Sequence, residues 1–147
     1  MHNQERYGIS PIKMADKILS HIQEYAPQVV GREEDFAEIK LVNVYGEELW
    51  IQIDDAETSL FFGDWHTHYV AFPEAYAHFI DDLSEILSNR KCTMCSYAQD
   101  LPRCSMLSDT VSPDIADLRE EFGADKTIRL HFWDSSRDIV YEPLKQD

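Results

Sequence analysis

The sequence predicts an α+β domain, a mostly antiparallel sheet of about six or seven strands with three helices gathered mainly on one of its faces. Three observations carry this expectation. Apolar residues recur first at helical spacing, then at strand spacing, and the alternation repeats along the chain. The strand-period stretches are joined by short polar turns, which only antiparallel neighbours permit. Of the 147 residues, 44% are hydrophobic and 12% aromatic, enough to build one core, so a single domain spanning 1–147 is expected.

The first element is a helix. Ser10 can cap it and Pro11 sits where a missing N–H costs nothing. Ile12, Ala15, Ile18, Leu19, Ile22 and Tyr25 then recur on one face until Pro27 ends the run, and Gly31 to Asp35 reads as an acidic connector. From Phe36 the period becomes that of strands: AEIKLVNVY, a Gly46-Glu47 turn, LWIQI, a turn from Asp54 to Glu57, and SLFF. In the second of these, Leu49, Ile51 and Ile53 point one way and Trp50, Gln52 and Asp54 the other.

Pro73 opens a second helix, with Tyr76, Phe79, Ile80, Leu83, Ile86 and Leu87 on its apolar stripe and His78 on the polar side. KCTMCSYA and LPRCSML around Gln99-Asp100 read as a hairpin. Ser112-Pro113-Asp114 starts a short helix that Gly123 closes. From Thr127 to Trp133 the pattern alternates, with Ile128, Leu130 and Phe132 expected inward and Arg129, His131 and Trp133 outward, before a last short strand from Asp138 to Tyr141.

Charge narrows the function classes. The 28 acids and 13 bases give a formal net charge of −15, spread along the whole length, which argues against nucleic acid and against a membrane surface and suits a basic protein partner. Residues 1–10 hold no apolar run fit for a signal-peptide core, and no stretch approaches the ~18 apolar residues of a membrane span, so a cytoplasmic protein is expected. Cys92, Cys95 and Cys104 make an odd count that fits buried, reduced thiols better than a disulfide framework. No glycine-rich phosphate loop or nucleophile elbow is present.

The stretch Thr58 to Phe72, TSLFFGDWHTHYVAF, holds two of the six histidines beside an acid, a tryptophan and a tyrosine. If one face of the sheet is open, Trp50, Asp64, Trp65, His66, His68, Tyr69, Arg129, His131 and Trp133 form a candidate binding face on it. The reading is noncatalytic, with no catalytic residue and no cofactor. The alternative is a metal-dependent hydrolase in which His66 and His68, two apart on a strand, take a divalent transition metal, with His131 or Asp54 as the nominated third ligand.

Two resemblances bear on this stretch. Gly63-Asp64-Trp65-His66-Thr67-His68 resembles the metal-binding segment of the MPN zinc metalloprotease (deubiquitinase-type) family, in which a Gly-Trp stretch leads into His-x-His. Tyr69, Tyr76 and Phe79 stand where that pattern has a proline, a serine and the metal-binding aspartate, so the zinc site implied by it lacks a ligand. At whole-chain level, with FFGDWHTHY and the following helix carrying the likeness, the sequence resembles an uncharacterised family of small acidic bacterial α+β proteins. Some proteins of that general character are immunity proteins of polymorphic toxin systems. That resemblance implies a binding face matched to a toxin domain, with no cofactor and no turnover.

Overall fold

The computed structural model describes residues 10–109 and 113–144. It is an α+β structure with three α-helices and two antiparallel sheets, one of five strands and one of four. The chain divides into two compact units, residues 1–83 and 84–147. The expected single sheet is therefore corrected to two, each with its own helical cover.

In the first unit, α1 (Pro11–Ile22) starts as its sequence dictates: the Ser10 hydroxyl accepts from the Lys13 N–H at 3.3 Å and Pro11 occupies the first turn. Met14, Ala15, Ile18 and Ile22 form its buried stripe. A 3-10 turn, Gln23–Tyr25, ends at Ala26 in the left-handed region. Five strands follow: β1 (Gln28–Glu33), β2 (Phe36–Val42), β3 (Glu48–Asp54), β4 (Glu57–Phe62) and β5 (Trp65–Val70), paired in chain order as a meander. The stretch read as an acidic connector is thus largely an edge strand, held to α1 by Arg32, whose guanidinium forks onto the Asp16 carboxylate at 2.7 and 3.2 Å. Salt bridging there holds the Asp16 carboxyl below the usual range.

The inward face of this sheet carries Ala37, Ile39 and Leu41 from β2, Leu49, Ile51 and Ile53 from β3, and Thr58, Leu60 and Phe62 from β4, all fully or almost fully buried. Helix α1 lies against β1, β2 and β3. The first turns of α2 (Pro73–Leu87) add Phe79, whose ring meets that of Tyr69 edge-on at 5.4 Å. His78 is exposed, as expected of its polar side.

The second unit is built on β6 (Thr93–Ala98), β7 (Leu101–Leu107), β8 (Thr127–His131) and β9 (Ile139–Tyr141), in the order β7-β6-β8-β9. Gln99 and Asp100 both have positive φ, +53° and +66°, which makes the two-residue β6–β7 loop a mirror-image turn matched to strand twist. Helix α3 (Ile115–Phe122) is capped by Asp114, whose carboxylate accepts from the Ala116 N–H at 2.8 Å. The expected Ser112 cap lies outside the described residues. Leu118 and Phe122 of α3 pack with Cys92, Met94, Ile128, Leu130 and Phe132. Cys92 and Cys95 are buried thiols, and burial pushes the Cys92 thiol up, whereas Cys104 on the edge strand β7 is exposed, against expectation. Among the described residues, no helix is long and apolar enough to cross a membrane.

Candidate functional site

The candidate site is the face of the five-stranded sheet turned away from α1, and turn chemistry decides which residues reach it. Asp54 closes the β3–β4 loop by accepting from the Ala56 and Glu57 N–H groups at 2.7 and 2.8 Å. Gly63, at φ +59°, opens the two-residue β4–β5 loop in a conformation that costs other residues. With both loops set, Ile51, Leu60 and Thr67 lie opposite one another, as do Trp50, Phe61 and His66. Adding β2, one row across the outer face reads Lys40, Trp50, Phe61, His66, and the next reads Glu38, Gln52, Ser59, His68.

These rows are in contact side to side. The Phe61 and His66 rings stack with centroids 5.5 Å apart and planes 18° from parallel, and His66 meets His68 at 5.3 Å with planes at 76°. The Lys40 ammonium lies 5.4 Å from the Trp50 ring centroid. The Trp50 indole N–H donates to Glu48 at 2.9 Å, and the Gln52 amide donates to Glu38 at 2.6 Å. Between these, Glu38, Trp50, Gln52 and Phe61 line a shallow depression of about 370 Å³.

His68 is held at one ring nitrogen. Its Nδ1 lies 2.7 Å from the Ser59 hydroxyl and 3.1 Å from a Glu57 carboxylate oxygen. The Ser59 hydroxyl is the hydrogen-bond partner of Nδ1, donating or accepting according to the ring's tautomer, and the Glu57 carboxylate stands at ion-pair distance from the same nitrogen. The side chain as a whole is 47% exposed.

The other expected face residues lie elsewhere. Trp65 and Tyr69 alternate with His66 and His68 on the same strand, so they point into the core, at 5% and 8% exposure. The Tyr69 hydroxyl donates to Asp82 at 2.7 Å, and burial first, then that carboxylate, pushes its pKa far up. Asp64 sits exposed in the β4–β5 loop.

Arg129 and His131 lie on β8 of the four-stranded sheet and Trp133 follows that strand, all in the second unit, so they are not part of the sheet that carries Trp50 and His66. His131 is 4% exposed and Trp133 8%, which corrects their outward assignment. His131 Nδ1 lies 2.6 Å from an Asp138 oxygen that also accepts from Arg129 at 2.7 Å, and the other Asp138 oxygen accepts from the Phe132 N–H at 2.7 Å. This is a part-buried brace around a buried histidine. Sequence reasoning missed Glu38, Glu57, Ser59 and Phe61 as site residues; the signal was the strand period carried across two turns of known length.

Among the described residues, no group of three or more His, Cys, Asp or Glu side chains is arranged to hold a metal ion by itself. The two nominated third ligands have other work: Asp54 closes a turn and His131 is braced by Asp138. Comparison with family models, with curated proteins and with solved structures finds no match to this chain.

Proposed function

We propose that this chain is a noncatalytic protein-binding module that engages a basic protein through the outer face of its five-stranded sheet, in the manner of an immunity protein that binds and blocks a toxin domain. The observation that carries the reading is the in-register row Trp50, Phe61, His66 on three adjacent strands, flanked by Glu38 and Glu48. Aromatic rings on a rigid strand scaffold present large contact area with little side-chain entropy to lose, the character of residues that dominate binding energies. A net charge of −15 favours approach of a cationic partner. The reading includes a cytoplasmic setting, supported by cysteines that stand as thiols.

The test begins with the reading frame beside this one, whose product is co-expressed and assayed for toxicity and for binding to the native chain. A basic product that binds tightly and is neutralised supports the proposal. Trp50→Ala should then weaken binding by about 30-fold or more, as expected for the loss of an anchoring tryptophan. A triple Trp50→Ala, Phe61→Ala, His66→Ala chain that folds and neutralises as well as the native one would remove this face from the reading.

A further inference from the structure

We propose that His66 and His68 together bind a first-row transition metal ion of the zinc and nickel class, with the chain supplying two nitrogens and leaving the remaining coordination positions open. The inference is independent of the docking reading, because it concerns an ion and needs no partner protein.

Geometry supports it first. Two residues apart on β5, the two rings share the outer face, with centroids 5.3 Å apart. A tetrahedral ion bonded to two imidazole nitrogens at about 2.0–2.1 Å places the two ring centroids roughly 5 Å apart. The pair therefore stands close to its bridging separation before any ion arrives.

Tautomer and support come next. Metal-ligating histidines characteristically give their other ring N–H to a carboxylate, which fixes the ring and raises its basicity. His68 Nδ1 has the Glu57 carboxylate at 3.1 Å and the Ser59 hydroxyl at 2.7 Å, and in the proposed site that nitrogen carries a hydrogen facing Glu57, which makes Nε2 the coordinating atom. His66 is steadied by its stack on Phe61. Glu57 is a positioning residue here, since among the described residues no group of three or more His, Cys, Asp or Glu side chains is arranged to hold an ion.

The open positions set the character of the site. Two neutral nitrogens on an exposed strand give micromolar binding instead of the affinity of a closed structural zinc site, and they leave room for water or an incoming side chain. The surrounding negative charge raises the local cation concentration.

The experiment is a calorimetric titration of the full chain, purified without a histidine tag in a Cys104→Ser background, with zinc and then nickel ions. The expected result is saturable binding near one ion per chain. His66→Ala and His68→Ala should each weaken it by about tenfold or more, Glu57→Gln by about tenfold, and His21→Ala and His78→Ala should leave it unchanged. In the native chain, nitrogen NMR should report the Nδ1–H form of His68 and a metal-induced shift at Nε2, a readout that holds even if a variant fails to fold. No saturable binding at millimolar ion, or binding indifferent to both His66→Ala and His68→Ala, overturns the site. Weakening by the histidine variants with Glu57→Gln unchanged in both affinity and tautomer overturns the positioning role of Glu57.

Discussion

Replacing Asp138 by alanine tests whether the His131 cluster is a structural brace. One carboxylate there serves three donors: the Phe132 N–H at 2.7 Å on one oxygen, and His131 Nδ1 at 2.6 Å with the Arg129 guanidinium at 2.7 Å on the other. Breaking a buried ion pair by removing one partner costs about 3–5 kcal/mol, chiefly because the other is left unsatisfied. Arg129, 36% exposed, turns to water and recovers part of that, whereas the His131 ring at 4% does not. Hydrogen bonds within one network are not additive, so the expected loss is about 3 kcal/mol. Asp138→Asn keeps an acceptor for the Phe132 N–H and should lose about half as much. Urea unfolding gives the total, and amide hydrogen exchange across residues 127–141 localises it to the second unit, with opening about 100-fold more frequent in the alanine variant. A loss below about 1 kcal/mol for Asp138→Ala would mean that the carboxylate is dispensable, and the assignment of His131 to the framework would fail with it.

Three further outcomes follow from burial and backbone geometry. Tyr69→Phe removes the hydroxyl that donates to Asp82 and should cost about 1–2 kcal/mol by urea unfolding. The same hydroxyl keeps its proton longer in the native state than in the unfolded one, so native stability should fall above about pH 10 by as much as about 1.4 kcal/mol per pH unit. The phenylalanine variant should lack that contribution to the slope. A thiol reagent under native conditions should label Cys104 quickly and reach Cys92 and Cys95 only on opening, with three rapid labels refuting their burial. Gly123→Ala places a side chain at φ +106° with its Cβ 3.0 Å from an Asp125 carboxylate oxygen, and a stability loss of about 1–3 kcal/mol is expected by thermal or urea unfolding.

Much of the fold was legible because local chemistry and long-range packing agree in it. Ser10-Pro11 started α1, the alternation of Leu49, Ile51 and Ile53 fixed the inner face of β3, and Gln99-Asp100 turned the β6–β7 hairpin. The failures have identifiable physical causes. Strand β1 is an edge strand with almost every side chain exposed, so it shows no buried period and reads as a connector. The last part of the Thr127 to Trp133 alternation misled for the opposite reason: His131, Phe132 and Trp133 are all buried in succession, and a run buried on both sides carries no sign of which face is open. Two sheets were read as one because period and turn chemistry describe neighbours along the chain, and the gap between β5 and β6 is filled by a helix that either arrangement accommodates.

The composition of the candidate site rests on register more than on residue choice. The face carries Trp50, Phe61 and His66 only because the Asp54-to-Glu57 and Gly63-Asp64 loops are each of fixed length. A one-residue slip at the second loop would send Trp65, Thr67 and Tyr69 outward and bury His66 and His68 in the core, where two imidazoles would need partners that the apolar inner face does not offer. The correct register instead buries an indole and gives the Tyr69 hydroxyl a carboxylate, Asp82, on α2. Core energetics thus select the one pairing that brings the two histidines together on the outer face. Any function placed on that face is secured by the apolar residues beneath it: a change at Gly63 or Trp65 should disturb the histidine pair as surely as a change to the histidines themselves.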